Sequence, residues 1–473
     1  MSVLLAASPL IAVAVATLVA RRRPIEAAGI GAGAALVLFF VWSGSAPAGI
    51  DMMVLRAFVL SLNAVAVIVP GLLFVEVSRA HGADAALGEW VRNIPVATDI
   101  KAVLLVVALG PFVGSLTGFG VSLVVIVPVA LALLPREQGL RAALLSMNVM
   151  PWGTLGLATL IGAQLAGYPA ATLGAATALT SSPIFPAAAL LASLVAGERR
   201  PTRLALALFI GSGFSAALWA LNTMIGPPIA GVLAGALTLA AIASVLVLAG
   251  RRPGLPPAAA WPYGLLFALV VILRLVVIAA PSLKEIRIIA DDISWTPATS
   301  PGLSLSLAVV LAARRAEIGN QARAAMSRAA MPVATVMLFL LMSQAMVAGG
   351  LVDTMASELT GLNAGLGLVL VAVMGLGSGY MTGSTVTGNA LLIIPATALG
   401  ESHGAGLLFA AVQNSSAGHA VLAAMPIIAL LAGLAGANAH EQARLMRFGL
   451  TVAAFNGVLI ALAAWLWSVT GVL

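Results

Sequence analysis

Long apolar stretches alternate with short polar or arginine-bearing breaks along the whole chain. The pattern predicts helices over residues 3–20, 25–44 and 54–77, then a polar amphipathic connector over 81–101. Further spans are expected at 142–167, 169–196, 204–221, 227–249, 261–280, 297–313, 329–347, 404–436 and 449–470. Two stretches depart from this rhythm. Residues 101–134 are interrupted by Gly110-Pro111 and Gly118-Phe119-Gly120, and residues 362–400 have a broken centre over 375–389. Crossing a hydrocarbon core of about 30 Å takes about 20 helical residues. The arms beside Gly118-Phe119-Gly120 hold about 13–16 residues, and a 14-residue helix is only about 21 Å long. These two stretches are therefore expected to be re-entrant hairpins with glycine-rich tips, tolerable where the bare backbone lines a protein cavity. A pair of kinked full spans around a glycine turn is the alternative.

Composition narrows the class. Of 473 residues only 39 are charged, 61 % are hydrophobic, and the mean hydropathy is +1.11. A soluble protein carries about 25 % charged residues, so a soluble enzyme and a disordered chain are both excluded. The net charge of +7 sits in short arginine clusters between apolar stretches, which speaks against nucleic-acid binding. There is no cysteine, and with it go disulfides, thiolate metal sites and cysteine catalysis. No phosphate-cradling loop, His/Glu metal cluster or nucleophile constellation appears, so neither an enzyme nor a bound cofactor is expected. Residues 3–20 precede Arg21, Arg22 and Arg23, the reverse of a secretory signal, and read as a first membrane helix.

The basic residues set a topology. With the amino terminus outside, Arg21, Arg22, Arg23, Arg79, Arg92, Lys101, Arg136, Arg141, Arg199, Arg200, Arg203, Arg251, Arg252, Arg314, Arg315, Arg323, Arg328, Arg444 and Arg447 fall inside, 19 of 23. That satisfies the positive-inside rule. It requires residues 101–134 and 362–400 each to enter and leave on one side.

The two expected tips align without gaps. Leu116-Thr117-Gly118-Phe119-Gly120-Val121-Ser122 matches Met381-Thr382-Gly383-Ser384-Thr385-Val386-Thr387 at an offset of 265. Each is followed by an arm with a proline (Pro128, Pro395) and then by a span broken by polar residues. The breaks are expected near 148–154 and 413–420. The fold expectation is thus an all-α polytopic membrane protein: about 12 spans plus two hairpins, in two inverted-topology repeats. Residues 1–50 would hold two amino-terminal helices, 51–250 the first repeat, 251–325 connecting helices and 326–473 the second repeat. In such repeats broken helices present free N–H groups and the positive end of the helix dipole at mid-membrane. The candidate substrate-binding residues are Thr117, Gly118, Phe119, Gly120, Ser122, Asn148, Thr382, Gly383, Ser384, Thr385, Thr387, Asn389, Asn414, Ser415 and Ser416. For any one polar residue, helix-to-helix packing is the competing reading.

Charge at mid-membrane costs roughly 2.5–3.5 kcal/mol on insertion scales. Glu76 has Arg79 one turn away, so an interfacial ion pair and a proton-carrying role are both open. Arg56, with Asp51 five residues earlier, reads as a snorkelling pair. Arg274, within Val271-Ile272-Leu273-Arg274-Leu275-Val276, reads as interfacial or paired rather than substrate-binding. His419 lies within the second expected break, and an imidazole titrates near physiological pH. His419 and Glu76 are the proton-coupling candidates.

At these motifs the chain resembles the L-lactate permease family, which carries lactate, glycolate and related 2-hydroxymonocarboxylates with protons. The likeness runs from about residue 70 over most of the chain. It rests on Gly118-Phe119-Gly120-Val121, on Asn148, Pro151 and Gly153, and on Ala163-Gln164-Leu165-Ala166-Gly167. It continues through Ile225-Gly226-Pro227, Trp261-Pro262-Tyr263, Thr382-Gly383-Ser384 with Asn389-Ala390-Leu391, and Asn414-Ser415-Ser416 with Gly418 and Pro426. Three family charges are missing. Gly114 stands where a glutamate is usual, Thr385 where an aspartate follows Thr-Gly-Ser, and Leu422 where a lysine is usual. The family's Ser-Pro-Gln is reduced to Met425-Pro426-Ile427. The resemblance implies a secondary transporter of a small organic monocarboxylate in the bacterial cytoplasmic (inner) membrane. Its coupling ion would be H+ and its mechanism alternating access. Sodium-coupled or uncoupled transport of another small anion is the alternative. A lipid-directed membrane enzyme and a channel fit less well. The expected partners are the organic anion and the lipid bilayer, with no nucleic acid; a homodimer is left open.

Overall fold

The computed structural model describes residues 3–42, 49–118, 122–314, 317–359 and 361–471. Among the described residues, 11 helices are long and apolar enough to cross a membrane, or 12 if the bent pair Ala170–Thr180 and Ile184–Val195 is one span. One two-stranded antiparallel hairpin, Ile288–Ala290 with Ile293–Trp295, is the sheet content of those residues. The chain is an all-α, multi-pass membrane protein.

Two expected spans are shorter than expected. Residues 3–20 divide into Val3–Ala6, Ser8–Ala14 and a π-helical turn Val15–Val19. The expected span at 297–313 is a helix of 12 residues, Pro301–Ala312, only about 18 Å long. Its start is set by proline and by Ser300, whose side chain accepts the Gly302 N–H at 3.3 Å. Gly302 lies against the carbonyl of Ala66, in the middle of Ile50–Ala80, where an added Cβ would come within 1.9 Å. The short helix therefore begins deep beside its neighbour, and the β-hairpin and turn before it supply the remaining depth.

Both interrupted stretches fold back on themselves. The first has arms Thr98–Thr117 and Ser122–Leu133; the second has arms Ala364–Thr382 and Thr385–Glu401. In the first stretch, where arms of about 13–16 residues are expected, one arm has 20 residues and the other 12; the arms of the second have 19 and 17. Gly110-Pro111 does not end the first arm, because a π-helical turn, Leu105–Leu109, precedes it. The wider turn accommodates a residue without an N–H. The ends of each stretch meet, as the arginine pattern requires. Ala102, Leu134 and Ala142 form one small apolar cluster with Ala196 packed on it. At the second mouth the His403 ring Nε2 lies 2.7 Å from the Leu362 carbonyl oxygen. The first mouth adjoins the Arg136 end of the helix Arg136–Leu165. The second adjoins its other end, where Gly406 presses on the Tyr168 hydroxyl.

That helix is broken as expected. A 3-10 segment, Ser146–Trp152, leads into Thr154, Leu155 and Gly156, all left-handed at φ 53°, 53° and 69°. The second broken span differs from expectation. Its helix runs unbroken over Gly406–Ala420, and the break is the 3-10 turn Val421–Ala423. The polar residues over 413–420 bond sideways to neighbouring helices, so the backbone need not open there. Pro426, in the first turn of the next helix, sets the break instead.

Burial orders these elements. The apolar windows of Thr98–Thr117 and Arg136–Leu165 are 89 % and 94 % buried, against 28 % for Pro227–Leu248. The first arm and the first broken helix are therefore interior, while outer helices turn residues such as Phe209 and Leu248 outward.

Candidate functional site

The first hairpin tip meets the first helix break. Gly118 has φ 64° and ψ −167°, a region open essentially to glycine. A Cβ there would fall 1.5 Å from Thr154 Oγ1. The second tip meets the second break in the same manner, with Gly383 (φ 68°) against Pro426 and Ala424. Phe119 and Gly120 lie outside the described residues.

Between the second tip and the first break lies a small cavity. It is lined by Met150, Gly153 and Thr154 on one side and by Gly383, Ser384 and Thr385 on the other. It shares Gly383, Ser384 and Ile427 with a larger cavity of about 370 Å³ that extends past Thr335 to Met331, Pro332, Arg23 and Pro24. The helix Thr385–Glu401 begins in this space. Its first internal bond is Gly388 N–H to the Ser384 carbonyl, so the N–H groups of Thr385, Val386 and Thr387 have no acceptor within the helix. Ser384 is the N-cap residue, yet its side chain makes no capping bond. The Thr385 hydroxyl is buried without a partner. Free N–H groups, two uncommitted hydroxyls and the positive end of a 17-residue helix form an arrangement that attracts an anion without a full counter-charge.

The other candidates divide into two groups. Some spend their polar atoms on their own backbone or neighbourhood. Thr117 donates to the Val113 carbonyl at 2.7 Å, Thr382 to the Ser378 carbonyl at 2.7 Å, and Thr387 to the Ser384 carbonyl at 3.0 Å. Ser122 is buried, and among the described residues its hydroxyl has the Met147 sulfur, at 3.7 Å, as acceptor.

A second group forms a network behind the cavity. Asn389 Nδ2 donates to Asn414 Oδ1 at 2.7 Å and to the Ala158 carbonyl at 3.0 Å. Asn414 Nδ2 donates to Thr159 and Thr177 at 3.0 and 2.9 Å. Ser415 bonds Thr180 and Ser181, and Ser181 reaches His419 Nε2 at 2.9 Å. Asn456 Nδ2 donates to Asn148 Oδ1 at 2.9 Å. Among the described residues the buried Ser416 hydroxyl has no partner, and the buried His419 ring faces the Asn148 backbone. Asn148, Asn389, Asn414 and Ser415 thus join the two broken helices rather than line the cavity. Thr159, Thr177, Thr180, Ser181 and Asn456 belong to the same network and were not anticipated. Their signal is a polar side chain inside an apolar span, at helical spacing in the case of Thr177, Thr180 and Ser181.

The charged candidates lie elsewhere. Glu76 pairs with Arg79 at 3.5 Å and with Arg328. Arg56 pairs with Asp291 and Asp292 at 2.9 and 3.0 Å and donates to Gln344, in place of the expected Asp51. Arg274 has no carboxylate partner among the described residues, so of the two expected readings the paired one is not met. Among the described residues no three His, Asp or Glu side chains gather in a way that could hold a metal ion.

No protein-family model matches the chain, and no curated protein matches it.

Proposed function

We propose that the protein is a secondary transporter that carries a small organic monocarboxylate, of the lactate and glycolate type, together with a proton. The observation that carries this reading is the start of Thr385–Glu401. Three N–H groups without helical acceptors and the unpartnered Thr385 hydroxyl face a cavity at the first helix break. An anion held there is stabilised by fixed dipoles in a dry site, where such interactions are strong. A monocarboxylate suits a site that offers partial charges and no cation. The cavity continues towards Arg23 and Met331, which gives the anion a route to one face.

The two stretches with mouths at opposite ends of Arg136–Leu165 support a reading as inverted repeats. Movement of the hairpins and broken helices against the surrounding helices would then expose the site alternately. Of the two titratable candidates, His419 is assigned the proton. It is joined through Ser181 and Ser415 to the network that holds both broken helices, whereas Glu76 is committed to two arginines.

The test is uptake of labelled lactate and glycolate into proteoliposomes, with a pH gradient and a sodium gradient imposed separately. Uptake driven by sodium alone selects the sodium-coupled alternative. Uptake of neither acid rejects the substrate class.

A further inference from the structure

Beyond the cavity at the hairpin tips, the other side of the same helix break faces a second cavity. Thr154 looks towards Ser384 and Thr385. Leu155, the next residue, lines a cavity with Arg274, Thr299, Ser300 and Ser304. The left-handed turn of Thr154, Leu155 and Gly156 is the wall between the two.

We propose that the cavity at Arg274 is a second anion site, which takes the carboxylate group of a small monocarboxylate on the β-hairpin side of that wall. Arg274 lies inside the span Ala258–Ala279, where a guanidinium stays charged and needs a counter-charge. Among the described residues none is present. Its Nε is buried and makes no hydrogen bond. The β-hairpin acids Asp291 and Asp292 are taken by Arg56. Ser304 is only 5 % exposed and lines the cavity, and its hydroxyl bonds to no described group. The helix Pro301–Ala312 begins at the same cavity, so its dipole adds to the positive field. Arg56 and Ala66 are ten residues apart on one helix, so the Ser300 end of the cavity lies about 15 Å below the Arg56 level. The cavity is small, about 30 Å³, which limits its occupant to a group the size of a carboxylate. A carboxylate matches the guanidinium fork with two oxygens, and the Ser304 hydroxyl donates to a remaining lone pair. The choice of a monocarboxylate over another small oxyanion rests on the proposed function. In that setting the Arg274 cavity receives the anion before the Thr154 wall gives way.

The test uses the absence of cysteine in the chain. Thr299→Cys introduces a single thiol in the cavity wall and leaves the Ser304 hydroxyl in place, and a small thiol reagent labels it in purified full-length protein. In phospholipid-free maltoside micelles, lactate or acetate is expected to slow labelling about tenfold. Adding Arg274→Gln abolishes the protection, and Arg274→Lys retains part of it. Ala298→Cys serves as the second reporter where Thr299→Cys does not fold. Labelling that neither acid slows overturns the proposal. So does labelling slowed only by added phospholipid, which would assign the cavity to a lipid phosphate. The readout needs no transport. Protection in a protein that accumulates no monocarboxylate would retain this site and reject the proposed function.

Discussion

Gly118 and Thr154 are in direct contact, so that the tip of one hairpin and the break of one helix fit only if residue 118 has no side chain. Gly118→Ala adds a Cβ that falls 1.5 Å from Thr154 Oγ1 and 2.8 Å from its backbone nitrogen. It also places alanine at φ 64°, ψ −167°, a strain of about 1–3 kcal/mol before the clash is counted. The expected outcome is loss of uptake and a lower unfolding midpoint. Thr154→Gly should restore only part of each, because the nitrogen and the backbone strain remain. Normal uptake by Gly118→Ala would mean that the contact is dispensable.

The hydroxyl of Thr385 offers a separation of binding from stability. It is buried and unpartnered, so Thr385→Val keeps the shape and removes an unsatisfied polar group. Such a change is neutral or stabilising for the fold. If the hydroxyl serves the anion, KM for the transported acid should rise about tenfold, worth about 1.4 kcal/mol, while the unfolding midpoint stays or rises. A lowered midpoint with unchanged KM would show a structural role.

His419 is fully buried, with Nε2 on Ser181 and its ring edge-on to Phe185. As the assigned proton carrier, it predicts that His419→Ala abolishes pH-driven accumulation while exchange of acid for acid continues. Unchanged dependence of uptake on pH would remove the assignment. Glu76→Gln should leave coupling as it is, because Glu76 is held by Arg79 and Arg328.

His403 closes the second mouth from outside the spans. Its Nδ1 lies 2.9 Å from the Leu399 carbonyl oxygen and its Nε2 lies 2.7 Å from that of Leu362. The imidazolium donates to both carbonyls at once, whereas the neutral ring donates to one of them and can accept from the Ser402 hydroxyl, 3.1 Å from Nδ1. The bond to Leu399, then that to Leu362, raises its pKa above the ordinary 6.5. A raised folded value means stabilisation that is complete below the unfolded pKa and lost as pH rises through the folded one. The midpoint difference between the wild-type protein and His403→Gln should therefore be larger near pH 6 than near pH 8. A difference independent of pH would show that the neutral ring holds the mouth equally well.

Much of this architecture is legible in the chain because membrane spans depend on length and apolarity alone. The span expected at 204–221 lies within the helix Pro201–Ile225, and that expected at 227–249 ends one residue beyond Pro227–Leu248. The break at 148–154 was marked by Pro151 and Gly153, residues that act on the backbone directly. The second break was misplaced because polar side chains over 413–420 imitate a broken helix. Whether Asn414 opens its own helix or bonds across to Thr159 and Thr177 depends on what lies beside it. The expected span 297–313 overruns the short helix Pro301–Ala312 because Pro297-Ala298-Thr299-Ser300 carries no charge to mark the boundary. Arg274 shows the same limit. An arginine in an apolar run reveals its cost, but its surroundings come from distant segments.

Accumulation of labelled lactate against its gradient in sealed proteoliposomes, driven by an imposed pH gradient, tests the central claim most directly. The expected result is uptake that overshoots its equilibrium level, collapses when a protonophore dissipates the gradient, and is lost in Gly118→Ala. Equilibration without overshoot, or overshoot only with a sodium gradient, would contradict proton-coupled monocarboxylate transport.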